Sequence, residues 1–508
     1  MIKKFSLVLA LMLGLCQMTF AYSEVNNLRE TFLSNKAIIM VINIRTFNAK
    51  DLDNNGIISE DEERGTFLNA IERLDELKSL GINTLHVLPI NPTGKLKALG
   101  TAGSVYAPIS LTEVNPLMAD EKSPLSVNEQ VKKFTEECHK RGIRVIVDLP
   151  SCGSYDMYLE QPDIFKKDKS QTPIVPTDWT DVRLFDTDSD KLYDIHVKYV
   201  DLMQELGFDG IRADVATIKP YKFWKDLINY AQDKDPNFLF LAEASDSWRE
   251  PPSEYAPFTP HDKLLEAGFD GYYGSFFNLK EWTKGADLIN HVNFNRKLLS
   301  SYSKPKAVIG SFSTHDELSP VLIKGEKFSN MIIWLNTTLP VNSYFVDGFQ
   351  TGADYVYFWG NKQADKTYTD DDYYFVHRGK FDLFNYSAKP KGSYPELETV
   401  FGIANKYKKT FSQVLSKGNF VPLSPSDSSV FAYIRSYGDT SILTIGNLDF
   451  KNSKHKVKID IPKLNKSHYF SVLKCSEKTG SFVHKKDKII LDMPAGDIQV
   501  YLINNLSL

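Results

Sequence analysis

Charged residues follow several short apolar runs in the middle of the chain. They are Asp148 in RVIVDLP, Arg212 and Asp214 in GIRADVA, Glu243 in FLFLAEA, and His315 with Asp316 directly after AVIGSFS. Ionised side chains are rarely buried unless they are paired. Because side chains alternate along a strand, Arg212 and Asp214 share one side. These residues therefore form either structural ion pairs or a reactive site.

Carboxylates beside an arginine suit the hydrolysis of glycosides. One ionised carboxylate attacks the anomeric carbon, and a second carboxyl with a raised pKa protonates the leaving oxygen. Arg212 would keep Asp214 ionised, since a nearby opposite charge lowers the pKa of a carboxyl. Glu243 follows the apolar run FLFLA, and an apolar setting favours the protonated form.

Eight apolar runs that alternate with amphipathic helical stretches must position these residues. They are AIIMVINI (38–45), TLHVLPI (84–90), RVIVDLP (144–150), GIRADVA (210–216), FLFLAEA (238–244), FDGYYGSFF (269–277), AVIGSFS (307–313) and NSYFVDG (342–348). Apolar strands connected through helices indicate a parallel sheet covered by helices. The pattern predicts an α/β fold, a (β/α)8 TIM barrel, with its site at the C-terminal ends of the strands. A doubly wound open sheet is the alternative, although no glycine-rich phosphate loop follows the first strand.

Two segments interrupt this alternation. Residues 151–187 form a polar excursion after the third strand, and alternating stretches such as SVFAYIRSY and TSILTIGNL begin after about residue 411. The latter predict an antiparallel β-sandwich. The expected organisation is a signal peptide (1–21), the barrel in two parts (22–150 and 188–410), a small inserted domain (151–187) and a C-terminal sandwich (411–508).

The N-terminus predicts export. Lys3 and Lys4 precede an apolar run over residues 7–15, and Thr19-Phe20-Ala21 is typical of a cleavage site. We expect cleavage after Ala21 and residence in the periplasm or outside the cell. A lipid anchor at Cys16 is the alternative.

Composition excludes some classes of partner. The chain has 508 residues and a formal net charge of −4, a balance that offers no electrostatic footprint for nucleic acid. After the N-terminal run, no stretch reaches the ~18 apolar residues of a membrane span. The sequence does not predict an oligomeric state.

Four segments resemble the signature segments of the alpha-amylase family, glycoside hydrolase family 13. GFDGIRADVA, FLAEASDSW and FSTHDE match three of them in order and spacing, and VIVDLPSCG stands where the remaining one belongs. The resemblance covers most of residues 38–410. It implies hydrolysis or transfer of α-glucosidic bonds with retention of configuration, and it identifies 151–187 as the family's B domain and the sandwich as its C-terminal domain.

The resemblance also implies roles for individual residues. Asp214 matches the nucleophile, Glu243 the general acid/base, and Asp316 the carboxylate that orients and stabilises the distorted sugar. Arg212 matches the arginine that pairs with the nucleophile. His315 matches a histidine that hydrogen-bonds the sugar at the cleavage subsite.

Two further segments concern contacts with the substrate. Tyr106, in GSVYAP, resembles a tyrosine that stacks on the sugar, and Asp148 is retained in VIVDLPSCG. Family members have Asn-His a few residues after this aspartate, whereas Ser151, Cys152 and Gly153 stand here. One sugar contact and one calcium contact of the family are therefore missing from this segment.

A separate acidic segment predicts a calcium site. DLDNNGIISEDE, at 51–62, matches the calcium-loop pattern D-x-[DN]-x-[DN]-G-x5-E. The predicted ligands are the side chains of Asp51, Asp53, Asn55 and Glu62 and the backbone carbonyl of Ile57. The loop resembles a calcium site that alpha-amylase relatives carry after their first strand. A solvated acidic turn is the alternative.

The predicted function is that of an exported retaining glycoside hydrolase that acts on starch-like glucans or malto-oligosaccharides. An α-glucan transglycosylase or an α-glucosidase is the alternative within the same class of enzyme. A catalytically silent sugar-binding relative is the alternative from another class, motivated by VIVDLPSCG. The presence of Asp214, Glu243 and Asp316 argues against it, since a silent protein has no chemical need for all three.

Overall fold

The structure is a computed structural model that describes most of the chain. The described residues are 27–176, 179–248, 257–354, 382–388, 391–462, 469–474, 483–485 and 487–504. The predicted signal peptide and Cys16 lie outside them. Among the helices of these segments, none combines the length and the apolar character that a membrane crossing needs.

Eight parallel strands form a closed cylinder. The first ten strands of the chain are β1 (Ile38–Ile42), β2 (Thr84–Val87), β3 (Arg144–Leu149), β4 (Cys152–Ser154), β5 (Val182–Leu184), β6 (Gly210–Ala213), β7 (Leu239–Ala242), β8 (Gly271–Tyr272), β9 (Ala307–Val308) and β10 (Ser343–Val346). The sheet order is β10-β1-β2-β3-β6-β7-β8-β9. A parallel bridge between Ile309 and Asn342 joins the two edges. The predicted (β/α)8 barrel is confirmed.

Helices connect and cover these strands. They are α1 (Leu28–Leu33), α2 (Ile44–Phe47), α3 (Phe67–Ala70), α4 (Leu74–Ser79), α5 (Val127–Lys140), α6 (Tyr155–Glu160), α7 (Asp190–Glu205), α8 (Tyr221–Lys234), α9 (His261–Ala267), α10 (Gly285–Leu299), α11 (Pro320–Lys324), α12 (Glu326–Thr338) and α13 (Glu396–Thr410). Several begin at a capping side chain. At the start of α5, for example, the Ser126 hydroxyl accepts from the Glu129 N–H, and the Glu129 carboxylate accepts from the Ser126 N–H.

Burial on both faces explains the apolar runs. In β1, Ile39 and Val41 point into the cylinder, whereas Ile38, Met40 and Ile42 pack against the helices. All five are fully buried. Because neither face meets water, the strand reads as a continuous apolar segment. A polar side chain that points into such a cylinder must find its partners there.

The strands are shorter than the apolar runs predict, because local turns end them. Asn43 ends β1, where its side chain accepts from the Arg45 N–H and caps α2. FDGYYGSFF contributes only the two residues of β8, since Gly274 turns the chain at φ 65°. A short 3-10 helix, Phe276–Lys280, follows. The runs therefore predicted the strands but not their lengths.

The excursion after β3 is a small hairpin with one helix. β4 pairs antiparallel with β5, and α6 lies between them in the chain. Cys152, Val182 and Leu184 form a buried apolar cluster of their own. This hairpin lies directly beyond the end of β3, at the mouth of the cylinder.

The C-terminal part is an antiparallel β-sandwich. Its strands are β11 (Asn419–Leu423), β12 (Val430–Tyr437), β13 (Thr440–Asn447), β14 (Lys454–Asp460), β15 (Tyr469–Lys474), β16 (Val483–Lys485), β17 (Lys488–Met493) and β18 (Ile498–Asn504). One sheet has the order β11-β12-β13-β18-β15 and the other β14-β17-β16. Ile434 and Leu443 from the first sheet share a buried cluster with Ile459 and Ile489 from the second. The predicted sandwich is confirmed.

Candidate active site

Charged side chains from three strand ends meet around the guanidinium of Arg212. Asp148 on β3 and Arg212 on β6 face each other in the register of neighbouring strands. Nη1 of Arg212 donates to Oδ1 of Asp148 at 2.7 Å and to Oδ1 of Asp214 at 3.1 Å. Its Nη2 lies 2.9 Å from Oε2 of Glu243, a charge contact without hydrogen-bond geometry. One fully buried cation thus contacts three carboxylates.

The Arg212 guanidinium is part of a closed ring of hydrogen bonds inside the cylinder. Nε of Arg212 donates to Oη of Tyr273 at 3.1 Å. The hydroxyls of Tyr273 and Tyr344 are hydrogen-bonded to each other at 2.8 Å, and the Tyr344 hydroxyl lies 2.9 Å from Nδ1 of His86. Nε2 of His86 lies 3.3 Å from Oδ2 of Asp148. Asp148 only accepts, so His86 donates through Nε2 and accepts through Nδ1. The ring therefore fixes the orientation of Arg212.

Sequence reasoning missed His86, Tyr273 and Tyr344. Each belongs to or directly follows a predicted strand, and each is buried. An inward-facing polar residue in an otherwise apolar strand was the available signal, because such a residue needs a partner inside the cylinder. The signal is weak for tyrosine, which is often a core residue.

Asp148 is a fixed negative charge at the base of the site. Burial alone would raise the pKa of this carboxyl, but the charge of Arg212 and the hydrogen bond from His86 hold the pKa at about 2. The Tyr106 hydroxyl donates to Oδ2 of Asp148 at 2.7 Å. Asp148 therefore stays ionised while the other carboxyls change protonation.

Asp214 follows β6 directly and is held by peptide groups. Its own N–H donates to the Leu149 carbonyl at 3.1 Å, and the Ser151 N–H donates to its Oδ2 at 3.1 Å. Burial raises the pKa of Asp214, whereas Arg212 and the Ser151 N–H act against this rise. Some 15% of the side chain remains exposed. Both partners stabilise the ionised form of a carboxylate that is accessible from the cleft.

Glu243 follows β7 and is in the opposite electrostatic situation. Burial raises the pKa of its carboxyl to about 8, although Arg212 lowers it, and the charges of Asp214 and Asp316 add to the rise. The N–H of Val215 donates to Oε2 at 2.7 Å. Glu243 thus carries a proton at neutral pH. The carboxyls of this site interact and lose their protons as a coupled set.

His315 and Asp316 complete the rim. Nε2 of His315 lies 2.7 Å from the Tyr106 hydroxyl and 3.4 Å from Oδ2 of Asp316. The His315 ring stacks on Tyr106 with 5.8 Å between ring centroids. Burial, and then the charge of Arg212, lowers the pKa of His315, so its imidazole is neutral. Burial in the cleft raises the pKa of Asp316. Half of that side chain is exposed, and solvent therefore moderates the shift.

The structure thus brings together the predicted catalytic carboxyls and all four predicted substrate contacts. Arg212 contacts both Asp148 and Asp214 directly. Tyr106 and His315 link this group to Asp316 through two hydrogen-bond-length contacts and one polar contact of 3.4 Å between His315 and Asp316. The arrangement pairs an accessible carboxyl, that of Asp214, whose ionised form Arg212 and the Ser151 N–H stabilise, with the protonated carboxyl of Glu243. That combination allows nucleophilic attack and proton donation at one bond.

The departure from the family pattern also has a structural reason. A Cβ atom on Gly153 would lie 2.7 Å from Cζ of Phe165 and 2.9 Å from Sδ of Met157, so a side chain there needs a shift of the hairpin. Cys152 is buried, and burial raises the pKa of its thiol to about 12. Cys152 and Gly153 are thus packed within strand β4, whereas the Ser151 N–H contacts Asp214.

The predicted calcium loop brings together three of its five predicted ligands. Carboxylate oxygens of Asp51, Asp53 and Glu62 lie within 4.8 Å of one another. Asn55 instead uses its amide locally: Nδ2 donates to Asp53, and Oδ1 accepts from the Ile57 N–H.

Backbone bonds hold this loop in shape. The N–H of Gly56, at φ 84°, donates to Asp51, and the N–H of Leu52 donates to Glu62. The loop is tied to residues 382–388, since the Ile58 N–H donates to the carbonyl of Tyr386 at 2.9 Å. The donor set is oxygen only, which is the chemistry that Ca²⁺ requires.

Comparison with known proteins yields sequence relatives and structural neighbours. No protein-family profile matches the chain. An alpha-amylase of Haloarcula japonica is 25% identical over 224 residues, 41% of this chain and 29% of that relative. Alpha-amylase 2 of Dictyoglomus thermophilum is 23% identical over 453 residues, 85% of this chain and 72% of that relative. Further relatives include a maltosyltransferase and a cyclomaltodextrinase, of which this chain spans less than half.

The fold has solved counterparts over nearly its whole length. A maltogenic alpha-amylase of Thermotoga neapolitana has a TM-score of 0.69 at 18% identity, and the match covers 93% of this chain and 99% of that one. At this identity the likeness concerns the fold. The curated relatives and structural neighbours of this chain are enzymes of the alpha-amylase family, glycoside hydrolase family 13, as its signature segments predict.

Proposed function

We propose that this chain is a retaining glycosidase that cleaves α-glucosidic bonds in starch-like glucans or malto-oligosaccharides. The observation that carries the proposal is the contact of one buried guanidinium, that of Arg212, with Asp148, Asp214 and Glu243. A purely structural ion pair needs one carboxylate. Here two further carboxyl groups, Asp214 and Glu243, lie at the same cation, and a two-step displacement requires such a pair with one group ionised and the other protonated.

In the first step, an ionised oxygen of Asp214 attacks the anomeric carbon. The glycosidic C–O bond breaks, and its oxygen leaves with the proton of Glu243. In the second step, Glu243 takes a proton from water, and the oxygen of that water attacks the anomeric carbon. The ester to Asp214 breaks, so Asp214 is ionised and Glu243 protonated again. Two inversions give overall retention.

The other residues of the site bind and orient the sugar. Asp316 and His315 offer hydrogen-bond groups at the rim, and Asp316 stabilises the distorted ring. Tyr106 is half-buried in the cleft and offers a ring for stacking. Asp148 supplies a permanent charge that balances Arg212.

Incubation of the purified chain with maltoheptaose, followed by chromatography, tests the proposal. We expect shorter malto-oligosaccharides, and a turnover lower by roughly 10³-fold or more in Asp214→Asn. Products longer than maltoheptaose would favour the transglycosylase, a candidate that the maltosyltransferase relatives support. Glucose as the first product would favour the α-glucosidase. Binding without turnover would favour the silent sugar-binding protein.

The proposal includes a structural calcium ion in the loop at 51–62. Asp51, Asp53 and Glu62 would hold it with their carboxylate oxygens, and Asn55 and the Ile57 carbonyl would complete the shell after a small rearrangement. When bound, the ion would neutralise charge and stabilise the loop and its attachment to residues 382–388. It takes no part in bond cleavage.

The proposal also includes export to the periplasm or the medium. The basic residues, apolar run and cleavage pattern within residues 1–21 support it. The mass of the mature N-terminus tests it: a chain that starts at Tyr22 is the expected result. A lipid-modified N-terminus at Cys16 would establish the anchor instead.

A further inference from the structure

A buried lysine lies next to the proposed nucleophile and has no role in the mechanism above. Lys219 is 1% exposed and lies between a short 3-10 helix, Ala216–Ile218, and α8. Its Nζ donates to the carbonyl oxygen of Ser151 at 3.1 Å. The rings of Phe185 and Trp224 lie 5.9 and 5.6 Å from Nζ. A lysine is almost never fully buried without a specific partner.

The partner of Lys219 is the same residue that holds Asp214. The Ser151 N–H donates to Oδ2 of Asp214 at 3.1 Å, and the Ser151 hydroxyl donates to the Asp214 backbone carbonyl. Ser151 therefore contacts Asp214 on one side and Lys219 on the other. The orientation of its N–H depends on how the chain is fixed between β3 and β4.

The backbone of Lys219 is fixed as well. The Thr259 hydroxyl donates to the Lys219 carbonyl at 2.7 Å, and the Thr259 N–H donates to the Thr217 carbonyl at 2.8 Å. The ammonium group is thus supported by its own chain segment and does not depend on contact with solvent. Its position is preorganised.

The charged and titratable groups that face this ammonium come from three elements. They are Cys152 on β4, Asp214 after β6, and His196 on α7. Burial lowers the pKa of Lys219 to about 8. Burial raises the pKa of the Cys152 thiol, so Cys152 is neutral. Burial also lowers the pKa of His196, so that imidazole is neutral. Asp214 is the anion of this group, and the positive charge of Lys219 favours its ionised form.

We propose that Lys219 is a positioning residue for the nucleophile. It fixes Ser151 so that the peptide N–H points at Oδ2 of Asp214, and its charge stabilises the Asp214 carboxylate. This role rests on the proposed function. Lys219 acts through Ser151, which lies in the segment Ser151–Gly153 that lacks the family's Asn-His. Through Ser151, Lys219 acts on Oδ2 of Asp214, whereas Arg212 contacts Oδ1.

The test compares Lys219→Met with a matched variant, Lys408→Met. Lys408 is a second buried lysine among the described residues, and its Nζ donates to the backbone carbonyls of Asn336 and Val341 at 2.8 Å each. It lies outside the site, so Lys408→Met reports the cost of losing a buried lysine as such. Each variant is assayed for kcat/KM on maltoheptaose as a function of pH, with its melting temperature as a measure of folding.

We expect Lys219→Met to lower kcat/KM about tenfold at neutral pH, as the loss of one charge-assisted hydrogen bond does. The acidic limb of its pH profile moves up by about one pH unit, since Asp214 loses a stabilising charge. In Lys219→Arg, which keeps the positive charge, the acidic limb should return part of the way to its wild-type position. Lys408→Met keeps the wild-type limbs, whatever its melting temperature.

A folded Lys219→Met variant with wild-type kcat/KM and an unmoved acidic limb would overturn the role. If that variant does not fold, Lys219→Gln keeps a donor for the Ser151 carbonyl but removes the charge, and an unmoved acidic limb there overturns it equally. Failure of the wild-type chain to turn over maltoheptaose would overturn the proposed function and this role together. If the wild-type chain is active, the proposed function stands, and the pH profiles of the Lys219 variants then test the role of Lys219 alone.

Discussion

The backbone N–H of Val215 donates a 2.7 Å hydrogen bond to Oε2 of Glu243. Val215 directly follows Asp214 and adopts a left-handed conformation at φ 34°, which is rare for a β-branched residue. The turn after β6 thus presents Asp214 to the cleft and at the same time holds Glu243. The proposed nucleophile and the proposed acid are positioned by one piece of backbone.

In the first step, replacement of the acid is expected to matter only when the leaving group needs a proton. Glu243→Gln preserves the acceptor for the Val215 N–H but cannot protonate an oxygen. We expect its kcat on maltoheptaose to fall by roughly 10²–10⁴-fold. On α-maltosyl fluoride, whose fluoride leaves without a proton, the loss in the first step should be far smaller. The values of kcat/KM on the two substrates, which report the first step and not the hydrolysis of the intermediate, measure the difference.

An equal loss on both substrates would contradict the role of Glu243 as acid. The melting temperature serves as the control for folding. Wild-type Glu243 must stay protonated in the folded chain, and its raised pKa makes folding less favourable as pH rises from about 4.3 towards 8. Glutamine has no such cost, so the variant should be at least as stable as wild type at neutral pH.

The pH profile of the wild-type chain should be bell-shaped. Activity requires Glu243 protonated, and since burial raises its pKa to about 8, kcat/KM should fall as pH rises through that value. It also requires Asp214 ionised, and because burial raises the pKa of Asp214, the acidic limb should lie above the usual aspartate range. A kcat/KM that stays constant from about pH 6 to about pH 10 would contradict the assignment.

Loss of Arg212 should destabilise the fold more than loss of another buried arginine. Arg212→Met leaves Asp148 buried without its main counter-charge, at a cost of about 3–5 kcal/mol in the free energy of unfolding. Arg435 is equally buried, but it donates to the backbone carbonyls of Gly418 and Thr338. Arg435→Met is therefore the matched control. Urea unfolding at neutral pH measures both.

The pH dependence of this loss follows from the sign of the Asp148 shift. The folded pKa of about 2 lies below the unfolded value of about 3.9. The stability that Asp148 contributes is thus present above pH 3.9 and is lost as pH falls towards 2. The difference in the free energy of unfolding between wild type and Arg212→Met should therefore decrease as pH falls from about 3.9 to about 2. Equal losses in the two arginine variants at neutral pH would contradict the argument.

The sequence predicted the barrel because both faces of each strand are buried, so Ile39 and Met40 are apolar alike. It predicted the sandwich because alternation persists where sheets have one exposed face. The sequence did not predict the strand lengths, because single residues such as Gly274 and Asn43 end strands through turn geometry that an apolar run does not encode.

The same contrast holds for the site. Carboxylates at strand ends stand out from an apolar background, whereas His86 and Tyr344 lie within strands that read as core. Their function depends on a hydrogen-bond ring that closes only in three dimensions. Lys219 lies five residues beyond Asp214 in a segment that reads as a loop, and its contact with Ser151 joins parts of the chain 68 residues apart.

Calcium should raise the melting temperature of the wild-type chain, and chelation should lower it. A ligand that binds only the folded state at about a hundred times its Kd stabilises by about 2.7 kcal/mol. Asp51→Asn and Glu62→Gln should abolish most of the response. Asp168→Asn is the matched control, because it alters an exposed aspartate elsewhere whose carboxylate also accepts from backbone N–H groups of its own turn. Scanning calorimetry with and without calcium measures the effect, and an identical melting temperature in both would exclude the site.

The covalent intermediate offers the most direct test of the proposed mechanism. A 5-fluoro-α-maltosyl fluoride forms the glycosyl-enzyme quickly and releases it slowly, and peptide mapping by mass spectrometry then locates the attached sugar. The account predicts an ester on Asp214, formed by wild type and absent from Asp214→Asn. A sugar attached to another residue, or products of inverted configuration with no adduct at all, would contradict it.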